Sequence, residues 1–358
     1  MKIAATECIH LKLKLREPYT IAYESVDDCE LLFLRITTNE GKEGWGCAAP
    51  VTPVTGETAE EILDSYKSVI ELLLKGKEVF RHARTMEELS RSIPTKPSAL
   101  AMVDMALYDL MAQKAGVPLY KFLGGYRNSI PTSITIGIMP LKEAVRKARD
   151  YVKDGFNILK VKGGKCLEDD IHKLTLIRKA VGKKIKLRFD ANQGYSQEEA
   201  LAFLAGTREV DLELLEQPTP KNELGLLKKI TNKTPVEIMA DESLMSLNDA
   251  YVISRNQCSD LINIKLMKTG GILAAAHISS VAKAAGIRSM VGCMDESALS
   301  IAAGLHFALS RPNIKYADLD GHLDLLEDPF SRMIRIREGK LIPPTQPGLG
   351  WAGDLKIG

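Results

Sequence analysis

From residue 130 to residue 318, the sequence alternates about eight times between a short apolar segment and a longer segment of helical periodicity. This alternation is typical of parallel strands joined by crossover helices. Such a series favours a closed β/α barrel over an open sheet. No helical segment follows the last strand. The predicted strands cover residues 131–137, 157–162, 185–190, 212–216, 236–241, 261–265, 289–292 and 316–318.

The segment before this series has a different rhythm. Runs of alternating apolar and polar side chains within residues 2–48 predict antiparallel strands and a hairpin. Residues 50–56 predict a loop, and residues 58–116 have a helical period. We therefore expect an α/β protein with a modified (β/α)7β TIM-like barrel and an N-terminal α+β capping domain. The predicted boundaries are 1–125 for the capping domain, completed by the C-terminal segment 326–358, and 126–325 for the catalytic barrel.

The composition excludes several classes of protein and site. The formal net charge of +2 over 358 residues gives no broad positive surface for nucleic acid or anionic membranes. No apolar run approaches the ~20 residues of a membrane span, and the first residues lack a secretion-signal pattern. The six cysteines form no CxxC motif, and the six histidines show no HxH or HExxH spacing. We therefore expect a cytoplasmic protein without a disulfide framework or a histidine or thiolate metal site.

Three consecutive predicted strands end in an acidic residue: Asp190, Glu216 and Asp241. Because active sites of β/α barrels lie at the C-terminal strand ends, we expect these carboxylates to converge. Converging carboxylates repel each other unless a cation lies between them. An all-oxygen ligand set favours Mg²⁺, then Mn²⁺, over Ca²⁺. A single acid at such a position is often a helix N-cap, but three at equivalent positions favour a metal site.

Lysines end two other predicted strands. Lys160 and Lys162 share one face of the second strand, and Lys265 ends the sixth. Paired lysines are common on solvated edge strands, but beside a metal they are candidates for chemistry. We expect Lys162 and Lys265 to lie on opposite sides of the cation, with depressed pKa values that suit general bases. Lys160 is expected to support a developing oxyanion, whereas Lys268 is interpreted as a surface loop residue.

The strand-end motifs follow one another in a diagnostic order. They are Lys-Val-Lys at 160–162, Asp-Ala-Asn-Gln at 190–193, Glu-Gln-Pro at 216–218, Ala-Asp-Glu-Ser at 240–243 and Asn-Ile-Lys-Leu-Met-Lys-Thr-Gly-Gly at 263–271. As an ordered set they resemble the muconate-lactonizing subgroup of the enolase superfamily, and the resemblance covers essentially the whole chain. It implies Mg²⁺-dependent enzymes that use a lysine base to form an enediolate.

Two further motifs are similar to those of the dipeptide epimerases within that subgroup. They are Asp318-Leu319-Asp320 and the segment 292–297. The resemblance implies that Asp318 and Asp320 bind the free α-ammonium of a dipeptide substrate, a charge-assisted contact, although acids in such a pattern are also common in turns. Additional candidates are Thr135, Cys293 and Asp295 for substrate binding and Asn192 as a supporting residue. The expected partner is a small-molecule dipeptide, with no nucleic acid or membrane, and the family is compatible with a homo-oligomer.

One position departs from the family pattern. Ala-Glu epimerases carry a basic residue on an N-terminal loop that reads the substrate glutamate, and this chain has Glu24 there. We therefore expect that the substrate side chain is not Glu. A cationic side chain would suit an acid, and Tyr19 and Tyr23 would suit an apolar one; alternatively, Glu24 points to solvent.

Two alternative functions stay open at this point. A cycloisomerase, an o-succinylbenzoate synthase or an N-acylamino-acid racemase would use the same metal and lysines without an ammonium clamp. The alternative of another class is a non-catalytic barrel that binds a metal or ligand.

Overall fold

The computed structural model describes residues 1–20 and 25–353. At the N-terminus, an antiparallel sheet is formed by β1 (Ile3–Thr20), β2 (Ser25–Thr38) and β3 (Glu43–Ala48), in that order. The helical segments that follow this sheet in the chain are Thr52–Thr55, Ala59–Ser65, Tyr66–Ile70, Glu71–Leu74, Val79–Arg81, His82–Ser92, Pro97–Lys114 and Leu119–Phe122. The segment predicted as a loop at 50–56 thus contains one helical turn. We call residues 1–125 the cap.

The long helix Pro97–Lys114 packs directly against β3. A Cβ atom built on Gly46 would lie 1.9 Å from the carbonyl oxygen of Met102, so only glycine permits this approach. Most of this helix is buried, because it lies between the cap sheet and the barrel, where it contacts the helix Ile272–Ala284.

The second unit is the predicted eight-stranded parallel sheet. After the short strand β4 (Ile130–Pro131), the barrel strands follow one another in chain order, each beside the next. They are β5 (Ile134–Ile136), β6 (Ile158–Lys162), β7 (Lys186–Asp190), β8 (Leu212–Glu216), β9 (Glu237–Ala240), β10 (Leu261–Lys265), β11 (Arg288–Gly292) and β12 (Ile314–Asp318). A parallel bridge between Thr132, two residues before β5, and Ala317 of β12 brings the two ends of the sheet together and closes it into a barrel.

Helices cover the outside of this barrel. They are Leu141–Lys153, Leu167–Val181, Gln197–Gly206, Leu224–Thr231, Leu247–Asn256, Ile272–Ala284 and Ala298–Ser310. A buried helical turn, Leu266–Thr269, directly follows β10, and short 3₁₀ turns lie at Arg208–Val210 and Gly321–Asp324. Because helices cover one face of each strand and the barrel interior the other, strands such as β10 are buried throughout. The helix Ala298–Ser310 is buried on all sides, since the cap packs over it. Within the described residues, no helix is both long and apolar enough for a membrane span.

The C-terminal segment takes two routes. Leu325 bridges to Leu15, and the backbone N–H of Leu349 donates to Asp109 in the cap helix at 2.7 Å. Between these contacts, β13 (Arg335–Arg337) and β14 (Lys340–Ile342) form a hairpin that pairs with β4. The predicted boundaries assign residues 326–358 to the capping domain; the hairpin within them lies beside β4, which precedes the first barrel strand.

Candidate active site

The predicted site residues meet at the C-terminal end of the barrel. Lys162 pairs in register with Asp190, and Asp190 pairs with Glu216, so these three side chains lie side by side on adjacent strands. Asp241 follows β9 directly, and Lys265 ends β10. Strand alternation and the parallel register therefore bring together groups that are far apart in the chain.

A cavity of about 390 Å³ lies between this end of the barrel and the cap. Lys160, Lys162 and Lys265 line its barrel side. Cap residues 26, 28–30, 50–54 and 57–60 line the opposite side. Lys162 and Lys265 belong to strands four apart in the closed series of eight, so they approach the cavity from opposite sides of the barrel.

The three carboxylates are buried and surrounded by lysines. The Nζ atom of Lys160 lies 3.1 Å from Asp190 Oδ2 and 2.8 Å from Glu216 Oε2. The Nζ atom of Lys265 lies 2.7 Å from Asp241 Oδ2. Lys162 is less tightly held, with its Nζ atom 3.8 Å from Asp190 Oδ2. The cluster therefore brings the predicted bases to the predicted metal ligands.

The protein's own charges alone do not give Lys265 the depressed pKa that the sequence predicts beside a cation. Burial lowers the pKa of Lys265, but the carboxylates of Asp241 and Glu216 outweigh it and raise that pKa above its usual value. Lys160 behaves in the same way, since Asp190, Asp318 and Glu216 all stabilise its ammonium. The prediction for the lysine pKa takes account of burial and of a bound cation, but not of the surrounding carboxylates. For Lys265 to become neutral, another cation must offset the charge of these carboxylates.

The carboxylates respond unequally to the same surroundings. Burial and the charges of Asp190 and Asp241 raise the pKa of Glu216 to about 8, against the opposing charge of Lys160. Burial would also raise the pKa of Asp241, but Lys265 and Lys268 outweigh it and hold that pKa well below its usual range. Glu216 thus has less compensating positive charge than Asp241.

The donor set fits a hard divalent cation. Asp190 Oδ2, Glu216 Oε2 and Asp241 Oδ2 are buried and accept no hydrogen bond; lysine nitrogens lie near these oxygens, but not in hydrogen-bond geometry. As placed, no three His, Cys, Asp or Glu side chains of the described ranges form a ready ligand set. The Nζ atom of Lys160 lies within 3.1 Å of both Asp190 Oδ2 and Glu216 Oε2. Unsatisfied buried oxygens around one point are what Mg²⁺ binds.

Lys268 is not the surface residue that the sequence suggested. Its side chain is 1% exposed, and Nζ donates to the Oδ1 and main-chain oxygens of Asp241, both at 2.5 Å. The helical turn Leu266–Thr269 directs it inward. Lys268 thus orients Asp241.

Sequence reasoning missed two other supporting residues. Asn263 Nδ2 donates to Glu216 Oε1 at 2.7 Å. Its spacing of two residues from Lys265 on β10 was a usable signal, because alternate residues of a strand share a face. The side-chain oxygen of Gln217 accepts from the backbone N–H groups of Asp241 and Ser243, and it has no comparable signal in the pattern.

Asn192 lies where a supporting residue is expected. Its backbone N–H donates to Asp190 Oδ1 at 2.9 Å, and its side-chain nitrogen donates to Glu242 Oε1 at 3.2 Å. The residue has a positive φ of 42°, a conformation that asparagine adopts more readily than most residues. This turn holds Asp190 toward the cluster.

Asp318 and Asp320 both line the cavity, but their surroundings differ. Asp318 accepts from Lys160 at 2.8 Å and from Ser133 at 2.6 Å. Burial raises its pKa, but Lys160 outweighs burial and lowers it to about 2. Asp320 accepts from the backbone N–H of Thr135 at 2.7 Å, and burial together with the charge of Asp318 raises its pKa to about 7. Asp320 is therefore the member of the pair that needs a cation.

Some of the other candidate residues line the cavity wall, and others lie outside the described residues. Cys293 lies 3.9 Å from Asp320, measured from sulfur to oxygen, and Asp295 lines the same wall. Thr135 lines the cavity beside them. Glu24 and Tyr23 lie outside the described residues, as does the side chain of Tyr19, so the specificity prediction that rests on them stays a prediction.

The cavity wall is acidic beyond the carboxylate cluster. Among the residues that the structure describes, the remaining basic side chain of the wall is Lys147, which forms an ion pair with Glu17 at 2.8 Å. The acidic side chains of this wall outside the Asp318–Asp320 pair are Glu17, Asp28, Glu30, Glu57, Glu60, Glu242, Asp295 and Asp324. The wall therefore suits positive charge better than negative charge.

Comparison with family models gives two matches that together span nearly the whole chain. Residues 4–124 match the mandelate racemase / muconate lactonizing enzyme N-terminal domain, and residues 143–356 match the enolase C-terminal domain-like model.

Similar proteins include several epimerases. An L-Ala-D/L-Glu epimerase from Bacillus subtilis is 39% identical over 99% of this chain and 97% of its own length. An L-Lys-D/L-Arg epimerase from Methylococcus capsulatus is 38% identical over 98% and 99%, respectively. A hydrophobic dipeptide epimerase from Enterococcus faecalis is 37% identical over 100% and 99%.

Solved structures agree with these relatives. A substrate-liganded L-Ala-D/L-Glu epimerase from Bacillus subtilis matches with a TM-score of 0.95 at 38% identity, over 98% of both chains. The Methylococcus capsulatus dipeptide epimerase complexed with Mg and L-Arg-D-Lys matches with a TM-score of 0.93 at 38% identity, over 98% of this chain and 99% of the other. The predicted fold class is thereby confirmed.

Proposed function

This chain belongs to the mandelate racemase/muconate lactonizing enzyme family of the enolase superfamily, and we propose that it is a Mg²⁺-dependent dipeptide epimerase. Its relatives are epimerases and racemases, and the chain is an isomerase of this kind. The reaction inverts the α-carbon of the C-terminal residue of an L,L-dipeptide. The observation that carries the proposal is the approach of Lys162 and Lys265 to one cavity from opposite sides of a three-carboxylate cluster.

Asp190, Glu216 and Asp241 would hold the metal. Their unsatisfied oxygens support this role, and structures of relatives contain Mg with dipeptides. A bound Mg²⁺ would stabilise negative charge on the substrate carboxylate oxygens as the α-proton leaves. It would also compete with Lys160 and Lys265 for the carboxylates, which lowers the pKa of the lysines toward the neutral form that a base requires.

Two lysines divide the proton transfer. Neutral Lys162 or Lys265 takes the α-proton and becomes an ammonium, and the C–H electron pair enters the bond between the α-carbon and the carboxylate carbon, giving an enediolate. The ammonium of the other lysine then gives its proton to the opposite face of the α-carbon. The product has inverted configuration, and the two lysines have exchanged protonation states. Lys160, beside Asp190 and Glu216, supports the negative charge.

The Asp318–Asp320 pair is the feature by which dipeptide epimerisation differs from the other reactions of the subgroup. Asp320 is buried, lies on the cavity wall and has a raised pKa, so an ammonium beside it gains a charge-assisted contact. A cycloisomerase or an N-acylamino-acid racemase would not need this contact. Comparison of free and N-acetylated dipeptides tests it: if the acetylated forms react faster, the enzyme is a racemase of acylated amino acids.

We also propose that the substrate side chain is not glutamate. The acidic wall favours a cationic side chain, since an acidic one would be repelled. An apolar side chain is the second candidate, because Val26, Pro50, Val51, Val54 and Met294 also line the cavity. Relatives of both specificities exist at similar identity, one named for Lys and Arg and one for hydrophobic dipeptides.

A dipeptide library incubated in D₂O with Mg²⁺ tests these points together. We expect one deuterium to enter the C-terminal residue of cationic dipeptides, with apolar dipeptides second and L-Ala-L-Glu poor. Rapid exchange of L-Ala-L-Glu would contradict the specificity. Absence of exchange across dipeptides, acylated amino acids and other carboxylates would support a non-catalytic barrel.

A further inference from the structure

Lys162 has little to hold its head group. Its Nζ atom lies 3.8 Å from Asp190 Oδ2, which is longer than a hydrogen bond, and its side chain is 14% exposed. Lys265, in contrast, lies 2.7 Å from Asp241. The direction of Lys162 therefore depends on its backbone. That backbone is fixed on the N-terminal side by β6 and on the C-terminal side by the turn at Gly163 and Gly164.

A buried carboxylate outside the cavity holds this turn. Asp170, on the helix Leu167–Val181, accepts from the backbone N–H of Gly164 at 2.8 Å. The same oxygen accepts from the hydroxyl of Tyr195 at 2.8 Å, and Lys173 lies 3.3 Å from the other oxygen. Asp170 and Tyr195 are each 3% exposed, and neither lines the cavity.

Tyr195 connects the turn to the neighbouring strand end. It lies in the loop that follows Asp190, and its backbone N–H donates to Pro218. The two loops are in direct contact: a Cβ atom on Gly194 would lie 2.0 Å from the carbonyl oxygen of Gly164. The backbone N–H of Gly163 also donates to the carbonyl of Asp190 at 3.0 Å. Asp170 thus joins the loop after the lysine to the loop after the first metal-ligand candidate.

The other lysine has an anchor of similar chemistry in a different place. After Lys265 and one helical turn, the backbone N–H groups of Ile272 and Leu273 donate to Asp104 Oδ2 at 2.5 and 3.2 Å. Asp104 is fully buried, belongs to the cap helix and also contacts His82. It provides a matched buried carboxylate for comparison with Asp170.

We propose that Asp170, together with Tyr195, is a positioning residue for Lys162: it fixes the turn at Gly163–Gly164 and so aims the lysine at one face of the substrate α-carbon. The inference rests on the proposed two-lysine reaction. No direct contact joins Asp170 to Lys162 or to the carboxylate oxygens of the metal-ligand candidates; if it acts by aiming Lys162, its loss slows the reaction at one face of the α-carbon only. A misplacement of about 1 Å can slow a reaction by about 100-fold, and the Asn variant keeps one acceptor, so a fall of about tenfold or more is expected.

The test measures α-proton exchange in D₂O in two backgrounds. Lys265→Ala leaves exchange that depends on Lys162, and Lys162→Ala leaves exchange that depends on Lys265. Asp170→Asn should lower the exchange rate about tenfold or more in the Lys265→Ala background and leave it unchanged in the Lys162→Ala background. Tyr195→Phe removes one hydrogen bond and should give a smaller fall in the same background. Asp104→Asn should not lower exchange in the Lys265→Ala background.

Equal losses in both backgrounds, or no loss in either, would overturn the positioning role. If Asp170→Asn does not fold, Tyr195→Phe decides the question by the same comparison. Failure of the proposed function is visible separately, before residue 170 is changed: the two lysine variants would then fail to exchange opposite epimers, and the positioning role would fall with it.

Discussion

Asp320→Asn separates substrate binding from proton transfer. The variant removes the negative charge and keeps an oxygen that can accept from the backbone N–H of Thr135, which now bonds to Asp320 at 2.7 Å. Asp318 cannot take over, because Lys160 lies 2.8 Å from it and already balances its charge. The substrate ammonium therefore loses its main anionic partner while the lysine and metal-ligand cluster stays intact.

The size of the loss follows from the kind of bond. Hydrogen bonds to charged groups contribute about 1.5–3 kcal/mol, and Asp320 is buried, so solvent screening is small. At about 1.4 kcal/mol per tenfold, kcat/KM for free dipeptides should fall about 10- to 100-fold, mainly through KM. Asp318→Asn should lower kcat as well, because it removes an anion from Lys160.

Steady-state kinetics with free and N-acetylated forms of one dipeptide measure this effect. Asp320→Asn should lower kcat/KM for the free form and leave the acetylated form unchanged, since the latter has no ammonium. A variant with unchanged KM for the free dipeptide, or with a loss confined to kcat, would refute the ammonium site.

Three further predictions concern pH, metal and backbone. Burial and Asp318 raise the pKa of Asp320 to about 7, and ammonium binding needs the charged form of this carboxylate. The KM of wild type should therefore increase as the pH falls from about 8 to about 6, and this increase should be absent in Asp320→Asn. Mg²⁺ at 100 times its Kd should raise the free energy of unfolding by about 2.7 kcal/mol and therefore raise Tm. EDTA should reverse the shift in Tm and Asp241→Asn should abolish it; an equal shift in that variant would contradict the ligand set. Gly164→Ala should lower Tm far more than Gly182→Ala, because both have positive φ but only the first places a Cβ 2.1 Å from a carbonyl oxygen; equal losses would contradict this reading of the turn.

The strand-end residues were predictable because they depend on local rules. A strand that ends in Asp190 or Glu216 must present that side chain where neighbouring parallel strands present theirs. Hence the convergence of carboxylates and lysines follows from the repeat. The glycine pair after Lys162 likewise signals a tight turn, although not the carboxylate that holds it.

The sequence is least informative where several strands act on one group. The pKa of Lys265 depends on carboxylates from other strands, and their sum opposes the effect of burial. Lys268 was misplaced because one helical turn after β10 carries it back toward Asp241, and a short loop motif does not encode that direction. The hairpin formed by β13 and β14 pairs with residues 130–131 through backbone bonds, which side-chain patterns do not specify.

The central claim is that Lys162 and Lys265 serve opposite faces of one α-carbon. Its most direct test incubates each epimer of a substrate dipeptide in D₂O with Mg²⁺ and wild type, Lys162→Ala or Lys265→Ala. Wild type should exchange and interconvert both epimers. Each variant should exchange the α-proton of one epimer, a different one for each, without interconversion. Interconversion at a near wild-type rate in either variant would contradict the account.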